Sequence, residues 1–251
     1  MSRRVFGIDF SPLTAVEIAS LVTQTERPDT FRLLVTANLD HVAQLSTNRR
    51  FRAAYDGAWI ATIDGMPVHL YSRLRGTGAR ERVPGSDLLP LILEWLRPGT
   101  HRPFFVAANS VVAAALTARL MTRGFDPADV ATAVPPLGFE CDAGASAALV
   151  AAIASHGSTH LFLGVGAPKS EIWVHENRAG LGATYAFCFG AGLDYAAGTR
   201  RRAPRLLRRI GMEWAWRVAS EPRRLFVRYF VRSWGFLQAV AADLLMPSTR
   251  Q

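Results

Sequence analysis

Apolar and polar positions alternate between two patterns along the first 195 residues. Short, almost wholly apolar runs are typical of strands that are buried on both faces, and apolar residues spaced three and four apart are typical of helices. The first pattern predicts strands at residues 32–38, 58–64, 103–108, 160–166 and 184–190. The second predicts helices at residues 12–24, 41–55, 87–96, 111–123, 145–155 and 169–178.

This alternation predicts an α/β fold. Its sheet is mainly parallel, with helices on both of its faces. Ligands of such sheets bind beyond the carboxyl ends of the strands. Polar and glycine residues collect at the predicted ends, namely Thr36, Asn38, Asp64, Gly164, Gly166 and Gly190. The sequence therefore predicts a binding site at this end of the sheet.

The pattern changes after Pro204, where arginines interleave with leucines and aromatic residues. From residue 200 onward there are twelve arginines and three acidic residues, whereas the first 199 residues carry 17 basic and 17 acidic groups. The net charge of +9 therefore belongs to one segment. We predict a core at residues 1–195 and a basic, aromatic-rich helical appendage at residues 196–251.

Three partners of the appendage stay open. An anionic membrane surface fits basic and aromatic side chains on amphipathic helices best. Nucleic acid also binds arginines and aromatic rings, but the chain has no recognised nucleic-acid motif, so we expect no nucleic-acid partner. The third interpretation is a solvated basic face whose aromatic residues pack on the core.

Composition narrows the class of protein. With 251 residues, 49% of them hydrophobic, the chain can bury a full core. The first residues lack the apolar run of a signal peptide, and no run of about 20 apolar residues occurs, so we expect a cytoplasmic protein without a membrane span. Cys141 and Cys188 stand far apart without ligand spacing, so we expect neither a disulfide framework nor a zinc site.

Two residues next to predicted strand ends could carry chemistry. Asp64 closes a strand and precedes Gly65, a suitable place for a general base, although Asp-Gly is also a common turn pair. Arg82 could hold a pyrophosphate with two hydrogen bonds or form a surface ion pair. Ser86 is a plausible N-cap of the following helix, with Asp87 in its first turn.

A glycine-containing loop at residues 164–171 follows a strand and opens a helix. Free backbone N–H groups at such a position favour a phosphate. The loop lacks the third glycine of a dinucleotide fingerprint and the GK[ST] of a P-loop. A tight turn with Pro168 at the helix start is the alternative interpretation.

Taken together, these segments resemble the WecG/TagA/CpsF family of bacterial glycosyltransferases over nearly the whole chain. The resemblance rests on an ordered set of short motifs: Thr36-x-Asn38, Asp64-Gly65, Glu81-Arg82-Val83-x-Gly85, Gly164-x-Gly166-x-Pro168-Lys169-x-Glu171, Gly190-x-x-x-Asp194, Gly198, Arg202-Ala203-Pro204, Glu213-Trp214-x-x-Arg217 and Glu221-Pro222. Each motif is weak alone, and the set is specific.

The resemblance implies an inverting transfer of an N-acetylmannosamine-like sugar from a UDP-sugar to N-acetylglucosamine on a polyprenyl diphosphate. It implies a Rossmann-like core, no metal and no other cofactor, and a location on the inner face of the bacterial plasma membrane. Asp64 would be the base. Substrate would be bound by Thr36, Asn38, Arg82, Gly164, Gly166, Pro168, Lys169, Ser170, Glu171, Gly190, Asp194, Arg202 and Arg217. The oligomeric state stays open, a homo-oligomer included.

One motif position departs from the family pattern. Ser170 stands where the family usually has glutamine, so an amide that could contact donor or acceptor is absent. This departure bears most on the predicted identity of the donor sugar. The alternative from another class is a membrane- or nucleic-acid-binding module that has kept the scaffold without catalysis.

Overall fold

The computed structural model describes residues 3–204, 206–207, 212–220 and 233–245. Within them, the strands β1 (Arg32–Ala37), β2 (Ile60–Ile63), β3 (Pro103–Val106), β4 (Ala131–Ala133), β5 (His160–Leu163) and β6 (Tyr185–Cys188) form one sheet. Its order is β2-β1-β6-β5-β3-β4, and all neighbouring strands are parallel. The predicted Rossmann-like α/β fold is confirmed.

Helices connect the strands and cover the sheet. The described α-helices are α1 (Ala15–Thr23), α2 (Leu39–Leu45), α3 (Arg49–Asp56), α4 (Met66–Leu74), α5 (Gly85–Trp95), α6 (Ser110–Met121), α7 (Ala143–His156), α8 (Lys169–Glu176), α9 (Arg178–Leu181), α10 (Gly192–Ala196), α11 (Glu213–Ser220) and α12 (Ser233–Leu245). Because parallel strands need crossover connections, helices fall on both faces.

Two apolar cores lie on the two faces of the sheet. Successive strand residues point to opposite faces, so Leu34 joins one core and its neighbour Val35 joins the other. The first core packs under α1, α5 and α6, and the second packs under α2, α3, α7 and α8. On the first face Phe105, Phe162 and Phe187 stack across three neighbouring strands, with ring centroids 5.2 and 5.0 Å apart.

Several elements differ from the predicted pattern, among them α10, which was not predicted. The single helix predicted at residues 41–55 is wrong, because the chain breaks between α2 and α3. Asn48 causes the break: its side-chain oxygen accepts a hydrogen bond from the Phe51 N–H at 3.0 Å and so starts a new helix. The strand β4 was not predicted, because it is short and only half-buried at the edge of the sheet. The helix α4 was also not predicted.

The described part of the appendage contains two helices, α11 and α12, and α12 packs against the core. A Cβ on Gly235 would lie 2.8 Å from the Ala43 Cβ of α2, so this glycine permits close helix contact. Asp243 is buried, and it accepts hydrogen bonds from the Phe6 N–H at 2.6 Å and from the Tyr71 hydroxyl at 2.8 Å. None of the described helices has the length and apolarity needed to cross a bilayer.

Candidate active site

The carboxyl ends of four neighbouring strands surround one cleft. Its lining residues follow β1, β2, β5 and β6 or begin α5 and α10: Thr36, Asn38, His41, Asp64, Gly85, Ser86, Gly166, Ala167, Glu171, Cys188, Phe189, Gly190, Ala191 and Gly192. The cleft contains about 560 Å³ of empty space, including the part open to solvent.

Asp64 lies at the rim of this cleft, directly after β2. Its N–H donates to the Ala37 carbonyl at 2.8 Å, which continues the pairing of β2 with β1 by one residue. A Cβ on Gly65 would lie 3.3 Å from the Asn38 Cα, so a glycine here lets the two strand-end turns lie side by side. The chain therefore brings the half-buried carboxyl group of Asp64 next to the β1 residues that line the cleft.

Thr36 and Asn38 form the β1 side of the cleft. Thr36 is buried and pairs in register with Thr62 of β2. Asn38 caps α2, because its side-chain oxygen accepts a hydrogen bond from the His41 N–H at 3.1 Å. The cap fixes the side chain, and its NH₂ group can donate to a ligand.

Arg82 lies beside Asp64 but is not among the residues that line the cleft. Its Nη1 donates to the Asp64 carbonyl oxygen at 2.9 Å. The next residue, Val83, donates its N–H to the Ile63 carbonyl at 2.8 Å, so this segment runs beside the end of β2. The arrangement fixes a positive charge near the carboxyl group of Asp64.

Two glycine turns form the opposite side of the cleft. Gly166 has φ +91° and Gly190 has φ +49°, a backbone region that favours glycine. Gly164 has a packing role, since a Cβ there would lie 2.8 Å from the Leu193 Cδ2. Pro168 follows a cis peptide bond, and Lys169 begins α8. Gly164, Pro168 and Lys169 are not among the lining residues.

Ser170 and Glu171 are both buried in the first turn of α8. The Ser170 hydroxyl donates to the Gly166 carbonyl at 3.0 Å, so it fixes the preceding loop, and Ser170 is not among the lining residues. Glu171 does line the cleft. The two adjacent motif positions therefore differ: the serine contacts the protein loop and the glutamate faces the site.

A buried polar cluster lies beneath the cleft. The His41 Nδ1 and the Tyr55 hydroxyl are 2.7 Å apart. Burial raises the pKa of Tyr55 well above its usual value, and the negative charges of Glu171 and Asp64 add to the shift. Burial, followed by the charge of Glu171, also raises the pKa of the Cys188 thiol. Tyr55 and Cys188 therefore stay protonated near neutral pH.

Arg202 connects the cleft to the appendage. Its guanidinium donates to the Ser86 carbonyl at 3.0 Å and to the Ser86 hydroxyl at 2.7 Å. It also forms an ion pair with Asp87 at 2.7 Å and a longer one with Glu213 of α11 at 3.8 Å. The predicted N-cap at Ser86 is wrong, because the rigid Pro84 caps the helix two residues earlier and Ser86 lies within α5.

The two remaining predicted site residues are Asp194, which is not among the lining residues, and Arg217. Asp194 is in the first turn of α10 and forms an ion pair with Arg200 at 3.5 Å. Arg217 is on α11, and its side chain lies outside the described residues. The described residues contain no group of three or more His, Cys, Asp or Glu arranged to hold a metal ion.

Several lining residues were not predicted. His41 lies three residues after Asn38 in the capped first turn of α2, and this spacing from a strand end was an available signal. Gly85 and Gly192 pack around Phe189, since a Cβ on Gly85 would lie only 2.5 Å from the Phe189 Cδ1. No local pattern indicates that contact, because it joins residues about 100 positions apart in the chain.

The fold and the cleft define an α/β enzyme with a small-molecule site at the carboxyl ends of parallel strands. The model of the glycosyl transferase WecG/TagA/CpsF family matches residues 3–250, so the chain belongs to that family and is a glycosyltransferase.

Two similar proteins carry the same name, N-acetylglucosaminyldiphosphoundecaprenol N-acetyl-beta-D-mannosaminyltransferase. One, from Staphylococcus aureus (strain MW2), is 25% identical over 229 residues, which are 88% of this chain and 85% of that protein. The other, from Bacillus spizizenii, is 28% identical over 191 residues, which are 76% of this chain and 72% of that protein.

Proposed function

We propose that this enzyme transfers an N-acetylmannosamine-like sugar from a UDP-sugar to N-acetylglucosamine on a polyprenyl diphosphate. The proposed reaction inverts the anomeric configuration and needs no metal ion. The observation that carries the proposal is the half-buried Asp64 at a cleft that Thr36, Asn38 and two glycine turns also line. The names of the two similar proteins support the acceptor and the sugar.

Asp64 is the general base of the proposed mechanism. Its carboxylate takes the proton of the acceptor hydroxyl while that oxygen attacks the anomeric carbon from the face opposite to UDP. The bond from the anomeric carbon to the β-phosphate oxygen breaks, and UDP leaves with the electron pair. Thr36 and Asn38 would hydrogen-bond sugar hydroxyl groups, and the neighbouring Arg82 would keep Asp64 ionised when substrate excludes water.

Charge that grows on the departing β-phosphate needs stabilisation. Backbone N–H groups of the turns at Gly166 and Gly190 and the first turn of α5 supply positive dipole ends at the cleft. Arg82 and Arg202 bring full positive charges to its rim, and Arg217 would act from α11. These groups would perform the role that a divalent ion has in other transferases.

The basic appendage would keep the enzyme at its acceptor. Arginines near an anionic surface contribute about 1 kcal/mol each, so the twelve from residue 200 onward can hold a peripheral protein on the inner face of the plasma membrane. Removal of residues after about 195 would then abolish transfer to an acceptor in a bilayer.

The proposal is tested by transfer from a panel of UDP-sugars to a synthetic N-acetylglucosamine-diphosphate-lipid in the presence of EDTA. We expect one donor, an N-acetylmannosamine derivative, to react, and NMR of the product to show the inverted anomeric configuration. Activity that EDTA abolishes and added Mg²⁺ restores would contradict metal independence. A retained configuration would contradict the single displacement.

The non-catalytic alternative makes a different prediction. A basic anchoring module would bind heparin and anionic vesicles and would not discriminate UDP from other nucleotides. The transferase binds UDP more tightly than ADP or CDP. Equal affinities for these diphosphates, together with no transfer from any donor, would favour the alternative.

A further inference from the structure

The outward face of α4 combines basic and apolar residues directly after Asp64. His69 and Arg73 are four residues apart, and so are Leu70 and Leu74, so each pair lies along one side of the helix. Leu70 is 56% exposed and Leu74 is 85% exposed, although large apolar residues are normally buried. We call these four residues the α4 face.

The basic side chains of the α4 face lie close to Arg82, which is itself beside Asp64. The Arg82 guanidinium is fixed at the Asp64 carbonyl, as described above. The pKa of His69 is lowered by burial first and then by the positive charges of Arg73 and Arg82, so the three groups are close enough to repel one another. The His69 Nδ1 is buried without a hydrogen bond to any described residue. A bound anion would offset this repulsion.

The spacing along α4 suits a substrate that reaches Asp64. A helix rises 1.5 Å per residue, so His69 lies roughly 6 Å along the axis from Gly65 and Arg73 lies one turn further. A sugar whose hydroxyl group contacts Asp64 would therefore carry its diphosphate beside His69, Arg73 and Arg82.

The end of α12, which also exposes leucines, lies beside the end of α4. Arg75 donates to the Asp243 carbonyl at 3.0 Å and pairs with its carboxylate at 3.3 Å, so the last turns of α4 and α12 lie together. The next residues of α12, Leu244 and Leu245, are 58% and 85% exposed. Along this surface the carboxylate of Asp64 comes first, the basic side chains come next, and the exposed leucines come last.

We propose that the α4 face is the acceptor site. His69 and Arg73 bind the diphosphate of the lipid-linked acceptor, and Leu70 and Leu74 contact its first isoprene units. This inference rests on the proposed function. The donor does not fit this face, because a UDP-sugar has no apolar chain to cover the leucines.

Binding of farnesyl diphosphate, without bilayer or donor, tests the site independently of catalysis. We expect Arg73→Gln and Leu74→Ser each to raise the Kd about tenfold. The matched controls are Arg27→Gln, beside Gly157 at the other end of the sheet, and Leu137→Ser, whose leucine is 97% exposed after β4. We expect both control variants to keep a Kd within twofold of the wild-type value. Equal Kd values for Arg73→Gln and Arg27→Gln would overturn the proposal.

Steady-state transfer tests the same variants with the reaction. The acceptor is a soluble one that carries N-acetylglucosamine on a short prenyl diphosphate. For the variants we expect the KM for this acceptor to rise about tenfold and the KM for the UDP-sugar to stay constant. If the leucine variant loses activity only when vesicles are present, the face contacts the membrane and the proposal is wrong. If wild type binds farnesyl diphosphate with the predicted pattern but transfers no sugar, the proposed function fails and the lipid-diphosphate site stands.

Discussion

The two ends of the sheet both bury polar side chains, but they use them differently. At the amino ends of the strands, the His160 Nε2 donates to the Val22 carbonyl at 2.7 Å, and its Nδ1 accepts from the Thr159 hydroxyl at 2.9 Å. The neighbouring His101 donates to the Thr25 carbonyl at 3.2 Å and accepts from the Arg97 N–H at 2.7 Å. At the carboxyl ends, Asp64, His41 and Glu171 line an open cleft.

This difference shows that burial of a titratable group does not by itself indicate a functional site. His160 is fully buried, and burial lowers its pKa to about 3, so the pKa is strongly shifted without any access for substrate. Both of its ring nitrogens bond to the protein, which ties the end of α1 to β5. The carboxyl end is distinguished by convergence of several strands on one open space.

The largest expected effect is a loss of activity when a residue at the carboxyl end of the sheet is changed. Asp64→Asn keeps the shape of the side chain but removes the base, so we expect kcat to fall about 100- to 10,000-fold. The melting temperature should change little, because the residue is only half-buried. Transfer kinetics and thermal unfolding measure the two quantities.

The matched control for this variant is Asp29→Asn, an exposed aspartate between α1 and β1. It makes the same change of charge away from the cleft and should retain wild-type kcat. If both variants keep wild-type activity, Asp64 is not the base.

The second prediction concerns the amino end of the sheet, where we expect a substitution to lower stability and to leave activity unchanged. His160→Phe keeps an aromatic ring beside Phe162 and Phe187 but leaves the Val22 carbonyl and the Thr159 hydroxyl without their partner. An unsatisfied buried polar group costs about 1–3 kcal/mol, so the free energy of unfolding at pH 8 should fall by that amount. Urea unfolding measures it. A loss of kcat in fully folded variant would mean that the amino end takes part in function.

The third prediction concerns pH. The pKa of His160 is about 3 in the folded protein, against about 6.5 when unfolded, so the unfolded state binds more protons between these values. The free energy of unfolding should therefore decrease as pH falls below 6.5, by up to about 1.4 kcal/mol per pH unit for this residue. His160→Phe should show a shallower slope in urea unfolding between pH 7 and pH 5. Identical slopes would mean that His160 does not stay neutral.

The sheet was predictable because five of its strands are apolar runs with clear ends. Asp64, Thr36 and Asn38 were found for the same reason, since each stands at a strand end. The break at Asn48 and the shift of the helix start to Gly85 were not, because one polar or rigid residue decides each boundary. Contacts such as Gly85 with Phe189 or Gly235 with Ala43 depend on distant segments, and no local pattern carries them.

At the carboxyl end, a residue from a distant part of the chain completes the rim of the cleft. Arg202 bonds to Ser86, which lines the cleft, although the two residues are 116 positions apart. Its nearest ion-pair partner, Asp87, has a side chain that is 38% exposed, so solvent screens this pair and it contributes little to stability. We therefore expect Arg202→Gln to reduce kcat/KM about tenfold and the free energy of unfolding by no more than about 1 kcal/mol.

Arg200→Gln is the matched control for this last and smallest effect. Arg200 is two residues away, carries the same charge and pairs with Asp194 at 3.5 Å, outside the cleft lining. Its kcat/KM should stay within twofold of wild type. If both variants lose activity equally, the appendage acts through its total positive charge, because a specific contact at Ser86 would affect only Arg202→Gln.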